Sequence, residues 1–155
     1  MLIDAQVNML FGQWALPNAE DIRAKLQSRL EAARAAGQQI IQVLNDPEEG
    51  WPLDQFDPVF KPEDSDIVIW KSTFSVFESN PEFAATLEAL GIDELEVIGM
   101  QSELCLRSSV IDALKENFKV TVEPGMHFTY NSDDKGFLEV AAEVQRELEG
   151  LGAKS

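Results

Sequence analysis

Residues 94–118 read ELEVIGMQSELCLRSSVIDALKENF and contain the only cysteine of the chain, Cys105. Leu95, Val97 and Ile98 form a short apolar run that stops at Gly99. Beyond it, Leu106, Val110, Ala113 and Leu114 recur at helical spacing, so a helix is expected to open close to Cys105, with Ser102 as its N-cap. A thiol in the first turn of a helix feels the positive end of the helix dipole, so its pKa is expected below that of a free cysteine. The unpaired backbone N–H groups there suit an oxyanion formed when a thiolate attacks a carbonyl. In an open α/β sheet, ligands gather at the carboxyl ends of the strands, which is where this turn falls. Cys105 is therefore a candidate nucleophile. A lone free cysteine is also commonly a small buried hydrophobe, and this stretch alone leaves both readings open.

The flanking sequence alternates strands and helices. Met1-Leu2-Ile3 is a short apolar run leading to Asp4, either a carboxylate at a strand's carboxyl edge or a turn aspartate. Residues 8–18 read as a loop whose apolar positions, Met9, Phe11, Trp14 and Leu16, either line a pocket mouth or pack beneath the loop. Asn18 is expected to cap a helix over 19–36, with Ile22, Leu26, Arg29, Leu30 and Ala33 facing inward and Gly37 ending it. Residues 39–44 form a second strand and 66–70 a third, which delivers Lys71 at its carboxyl end. Between them, 45–66 is long, acidic and proline-rich, and its Trp51, Phe56 and Phe60 are expected to pack against something. A helix over 82–90, a fifth strand over 118–122, a loop GMHFTYN at 125–131 and an amphipathic helix over 137–151 complete the chain. This alternation predicts a mainly parallel sheet covered by helices on both faces, a three-layer α-β-α, Rossmann-like arrangement in one domain, 1–155.

Composition narrows the function. A formal net charge of −16, from 28 acidic and 12 basic residues, with no dense basic cluster, argues against a nucleic-acid partner. No apolar run approaches the ~20 residues that cross a bilayer, so no membrane partner is expected. One cysteine excludes an internal disulfide, and with no evident signal peptide the expected location is the cytoplasm.

The segment GMQSELCLRSSVIDALKENFKVTV resembles the nucleophile segment of the isochorismatase-like cysteine hydrolases, roughly G-x-x-T-[DE]-x-C-V-x-x-[TS]-x-x-D-A. Gly99, Glu103, Cys105, Ser108 or Ser109, Asp112 and Ala113 follow that pattern, while Ser102 stands for the usual Thr and Leu106 for the usual Val. Asp4-Ala5-Gln6-Val7-Asn8 resembles the family's D-x-Q-x-[DN], and residues 71–77, KSTFSVF, its K-x-x-x-S-x-F. Residues 125–131 are similar to D-x-H-S-T-Y-[DN], with Pro124-Gly125 as a departure.

The resemblance implies strand order 3-2-1-4-5 with a sixth strand short or absent. It implies a catalytic set in which Cys105 is nucleophile, Asp4 shuttles the proton and Lys71 stabilises charge. The backbone N–H groups of Gln101 and Cys105 would hold the oxyanion, with a cis peptide between Met100 and Gln101. Met9, Phe77 and His127 are the candidates for substrate contact. Relatives of the nicotinamidase branch carry an Asp and two His as metal ligands after the second strand. Here that region offers Asn45, Asp46 and Glu48, and the sole histidine is His127, so no metal and no cofactor are expected. The implied activity is cleavage of a C–N bond in a small amide, carbamoyl compound or imide, by a homo-oligomer, dimer or higher. Two other classes compete: a catalytically degenerate relative that binds a metabolite or protein, and a redox-responsive thiol protein, which lacks a second cysteine to resolve a sulfenic acid.

Overall fold

The computed structural model describes residues 1–155. Thirteen named strands and helices carry the fold. They are β1 (Leu2–Ile3), α1 (Val7–Leu10), α2 (Ala19–Ala35), β2 (Ile41–Asn45), β3 (Ile67–Lys71), α3 (Val76–Ser79), α4 (Phe83–Ala89), β4 (Glu94–Glu96), β5 (Ile98–Met100), α5 (Arg107–Lys115), β6 (Lys119–Thr121), β7 (His127–Phe128) and α6 (Phe137–Gly150). The main sheet is parallel throughout and runs β3-β2-β1-β5-β7, which counted along the chain is 3-2-1-4-5. Two layers of apolar side chains sandwich it. Successive residues of a strand face opposite ways, so Ile3 joins Val76, Leu87, Val110 and Leu148 on one side while Leu2 joins Leu10, Ile22, Leu26 and Leu30 on the other. Helices α1 and α2 thus cover one face, and α3 to α6 the other. β1 is only two residues long, yet both are buried because β2 and β5 flank it.

The expected fourth strand divides in two. Its first part, β4, pairs with β6 as a separate two-stranded sheet, and its second part, β5, pairs with β7 in the main sheet. The hydrogen-bonding continues across the division, with Val97 N–H donating to Thr121 O and Gly99 N–H to Met126 O. What interrupts the ladder is an insertion on the partner side, the turn 122–126 containing Pro124 and Gly125, closed by Met126 N–H to Glu123 O at 3.1 Å. The segment expected as the fifth strand therefore edges the small sheet. The fifth position of the main sheet is taken by His127–Phe128, which reads as loop in the sequence. The sixth strand is reduced to one parallel bridge between Thr121 and Lys154.

Several local expectations shift. Asn18 precedes α2 in a left-handed conformation, and its side chain makes no capping bond. Arg29 does not face the core but grips the Glu96 carboxylate with two N–H groups. Phe77, expected at the substrate site, is 7% exposed and stacks with Phe83 and Phe118 in the core. The 45–66 loop is pinned back onto the start of the chain. Val59 N–H donates to Ala5 O, Val7 N–H to Asp57 O, and Phe56 is buried. No helix is long and apolar enough to cross a membrane.

Candidate active site

Three strand ends converge at the carboxyl edge of the sheet. Asp4 follows β1 in a left-handed conformation (φ 54°), fixed by its N–H to Val43 O at 2.9 Å and by Gln6 N–H to its own carbonyl at 2.8 Å. Lys71 ends β3. Cys105 follows β5 across the cis peptide Met100–Gln101. The Lys71 Nζ lies 3.2 Å from Asp4 Oδ2 and 3.1 Å from Cys105 Sγ, so the three residues read from separate segments of the sequence meet at one ammonium group. The Asp4 and Lys71 side chains are almost wholly buried, at 3% and 0% exposure, while Cys105 is half-buried and gives the cluster its opening.

The turn around Cys105 is not the α-helical start expected. Leu106 N–H donates to Gln101 O, and Arg107 N–H to Ser102 O, bonds that span five residues and make Ser102–Leu106 a π-turn that runs directly into α5. Such wide turns are frequent at functional sites, because they carry side chains to positions that a regular helix does not offer. Ser102 does not cap this helix. It is fully buried, and its hydroxyl meets His127 Nδ1 at 2.8 Å. The Gln101 N–H makes no hydrogen bond within the protein.

Electrostatics also differ from a simple helix-dipole picture. Burial, and then the neighbouring Asp4 charge, push the Cys105 thiol up to about 12, against the pull of Lys71. Burial likewise raises the Asp4 carboxyl, opposed by Lys71 and by hydrogen bonding to Cys105 and Lys71. Two acids that close together oppose each other's ionisation, and Lys71 offsets part of that cost for both. When the pair carries one negative charge, it faces one ammonium and the buried cluster is neutral. The second carboxylate oxygen, Asp4 Oδ1, is buried and accepts no hydrogen bond in the resting site.

The substrate-contact candidates are dispersed. Met9 sits on α1, half-buried, with its sulfur 3.7 Å from the Tyr130 hydroxyl. Phe77 is core, as described. His127 is 3% exposed and has both ring nitrogens engaged. Gln145 Nε2 donates to Val122 O and Glu149 Oε1, so Gln145 Oε1 accepts from His127 Nε2–H, and Nδ1 is left to accept from the Ser102 hydroxyl. Burial lowers the His127 pKa, so the ring is neutral and serves to tie the π-turn to α6. Its ring nitrogens are both taken, and the residue lines a cavity between the starts of α2 and α6, away from Asp4, Lys71 and Cys105.

No three His, Cys, Asp or Glu side chains gather to hold an ion, and the single imidazole has no free nitrogen. Two cavities, of about 480 and about 380 Å³, lie elsewhere: one at the amino edge of the sheet beside Arg29 and Lys119, the other between the starts of α2 and α6. Neither is lined by Asp4, Lys71 or Cys105. Asn45 and Thr73, to which neither the apolar runs nor the motifs assign a site role, have oxygens that accept from Lys71 Nζ at 3.1 and 3.2 Å. Strand register carried the signal for Asn45, because it is the direct neighbour of Lys71 on the adjacent strand.

The isochorismatase domain matches residues 1–135. A streptothricin hydrolase of Streptomyces noursei is 29% identical over 140 residues, covering 84% of this chain and 54% of that protein. A maleamate amidohydrolase of Pseudomonas putida is 31% identical over 80 residues, 52% of this chain and 37% of that protein. The chain thus spans about half the length, or less, of these curated relatives. Among solved structures, an isochorismatase from Pseudomonas putida superposes with a TM-score of 0.86 at 26% identity, over 99% of this chain and 84% of that one. With a family match over most of its length and this sheet order, the chain belongs to the isochorismatase family.

Proposed function

We propose that this protein is a cysteine hydrolase that cleaves a C–N bond in a small amide, carbamoyl compound or imide. The observation that carries the reading is the Lys71 ammonium held within 3.2 Å of both the Asp4 carboxylate and the Cys105 sulfur in a buried, charge-balanced cluster. Two of the relatives are named for hydrolytic reactions, one of them an amidohydrolase, which supports the same chemistry.

The steps follow from the groups. Asp4 accepts the thiol proton as the sulfur attacks the substrate carbonyl carbon, and Lys71 stabilises the ionised sulfur. The oxygen of the tetrahedral intermediate takes its charge to the N–H groups of Gln101 and Cys105. The C–N bond then breaks and Asp4, now a carboxylic acid, protonates the leaving nitrogen. Water, giving a proton to Asp4, attacks the thioester carbonyl. The acid product leaves, and the sulfur regains its proton from Asp4. No step requires a metal or cofactor. An unpaired reactive thiol suits a reducing compartment, so we assign the protein to the cytoplasm.

The test is a hydrolysis screen over amides, carbamoyl amines and imides with Cys105→Ala as blank. Turnover by wild type alone, with an acyl adduct on Cys105 in quenched samples, is the expected result. Undiminished hydrolysis by Cys105→Ala overturns the mechanism and favours a binding role.

The functional unit is proposed to be a homodimer or larger. Edge strand β3 leaves Val68 and Trp70 about 40% exposed, and Phe74 just beyond it is 55% exposed, an apolar surface that a second copy would cover. Sedimentation at micromolar concentration is expected to give at least a dimer, and Trp70→Lys to shift it toward monomer. A clean wild-type monomer contradicts this assignment.

A further inference from the structure

Lys71 Nζ has three hydrogens and four oxygen or sulfur neighbours: Asp4 Oδ2, Cys105 Sγ, Asn45 Oδ1 and Thr73 O, at 3.1 to 3.2 Å. Two of these are reacting groups. The other two set where the ammonium sits, and of them only Asn45 acts through a side chain. Asn45 is itself held with unusual completeness. Its N–H donates to Gln6 Oε1 at 2.9 Å, and its carbonyl accepts from Gln6 Nε2 at 3.0 Å, while the same Nε2 donates to Phe56 O at 2.8 Å. Gln6 is 1% exposed, and its whole amide is spent on this clamp. On the other side, Asp46 N–H donates to Lys71 O at 2.8 Å, continuing the β2–β3 ladder past the strand end.

We infer that Asn45 is a positioning residue for Lys71 and that its neutrality is part of the site. An amide oxygen anchors the ammonium without adding a charge that competes with the thiolate for it. Resting on the hydrolase reading, this extends the machinery from three residues to five, with Gln6 as the clamp that fixes Asn45 and Asn45 as the fixed point for Lys71. The charged groups that act on the sulfur are Asp4 from the end of β1 and Lys71 from the end of β3. Glu48, in the loop after β2, reaches the Asn45 amide nitrogen at 3.4 Å, and Glu103, on the π-turn, is engaged by the Thr129 hydroxyl. A carboxylate at position 45 would be a second anion on the same ammonium, turning a neutral cluster into a net negative one.

Asn45→Asp isolates this role, because it keeps the shape and the accepting oxygen and changes only the charge. At pH 8 the rate of Cys105 alkylation by iodoacetamide is expected to fall at least ~10-fold, the loss in thiolate that one unit of pKa rise produces. A side chain at position 45 that did not share the Lys71 ammonium with the sulfur would leave that rate within twofold. Because Asn45→Asp also puts two carboxylates together at Glu48, the double variant Asn45→Asp/Glu48→Gln is made alongside, and the folded one is read by circular dichroism and alkylation. An alkylation rate within twofold of wild type in either folded variant overturns the inference, as does failure of both to fold. Alkylation needs no substrate, so a negative hydrolysis screen bears on the proposed function and leaves this result separate.

Discussion

Asp4→Asn is expected to abolish turnover while making Cys105 alkylate faster. The two effects come from one cause. Asp4 opposes ionisation of the neighbouring sulfur by its charge, so removing that charge leaves Lys71 unopposed and lowers the thiol pKa toward its ordinary range. In the proposed mechanism, the same substitution also removes the carboxyl that takes the thiol proton and returns it to the leaving nitrogen. Lys71→Ala should slow alkylation and turnover together, because it removes the counter-charge. Cys105→Ala should lose turnover by ~10⁴-fold or more while still binding substrate. Pairwise combinations should be little worse than the worst single variant, since groups that act in one step give strongly non-additive losses. These rates are read once the screen has supplied a substrate, and alkylation can be read before. Slower alkylation in folded Asp4→Asn than in wild type would sink the view that Asp4 opposes ionisation of the sulfur.

Gly99→Ala is expected to cost the most stability of any glycine-to-alanine change in the chain. Gly99 sits in β5 at φ 126°, and a Cβ there would lie 2.2 Å from Ile3 O and 2.8 Å from Ile3 N. Those atoms belong to the backbone of β1, so no side chain can turn aside to make room. The central strands must separate, and the conformation is one that L residues rarely adopt. A loss of about 4 kcal/mol or more follows, a large share of the ~5–15 kcal/mol typical of a whole domain. Thermal melting should fall by about 10 °C or more for a chain of this length. Gly150→Ala is the control: it ends α6 with nothing within 4 Å of the added carbon, so helix propensity makes it neutral or slightly stabilising. A Gly99→Ala protein melting within about 2 °C of wild type would show that β1 and β5 tolerate the separation. The effect reaches the site as well, because β1 carries Asp4 and β5 leads into the Cys105 turn.

Apolar runs and helical spacing determined much of the architecture by themselves. Helix α2 was legible because Ile22, Leu26, Leu30 and Ala33 recur on one side and Gly37 stops the pattern. Strands β2 and β3 were legible because branched apolar residues cluster there and end in polar ones. Asp4, Lys71 and Cys105 were legible as candidates because Asp4 and Lys71 each close such a run, because Cys105 follows another across a turn at the edge where ligands collect, and because the motifs around them resemble those of a family. Tertiary structure decided what local pattern does not encode. Val97 reads as one strand with its neighbours, yet a turn inserted on the partner strand splits the ladder there and gives the edge of the main sheet to His127 and Phe128. His127 reads as a loop residue and a candidate for substrate contact, and the fold has Ser102 and Gln145, 25 and 18 residues away, engage both its nitrogens. Phe77 reads as a motif residue beside Lys71, and packing against Phe118 takes it into the core. Asn45 reads as the start of an acidic loop, and only the register of β2 against β3 sets it beside the ammonium. The sulfur's pKa follows the same division. Its place at a strand-to-helix turn was written in the sequence, but burial and the carboxylate arriving from β1 outweigh the helix dipole, because both act at contact distance on a half-buried thiol.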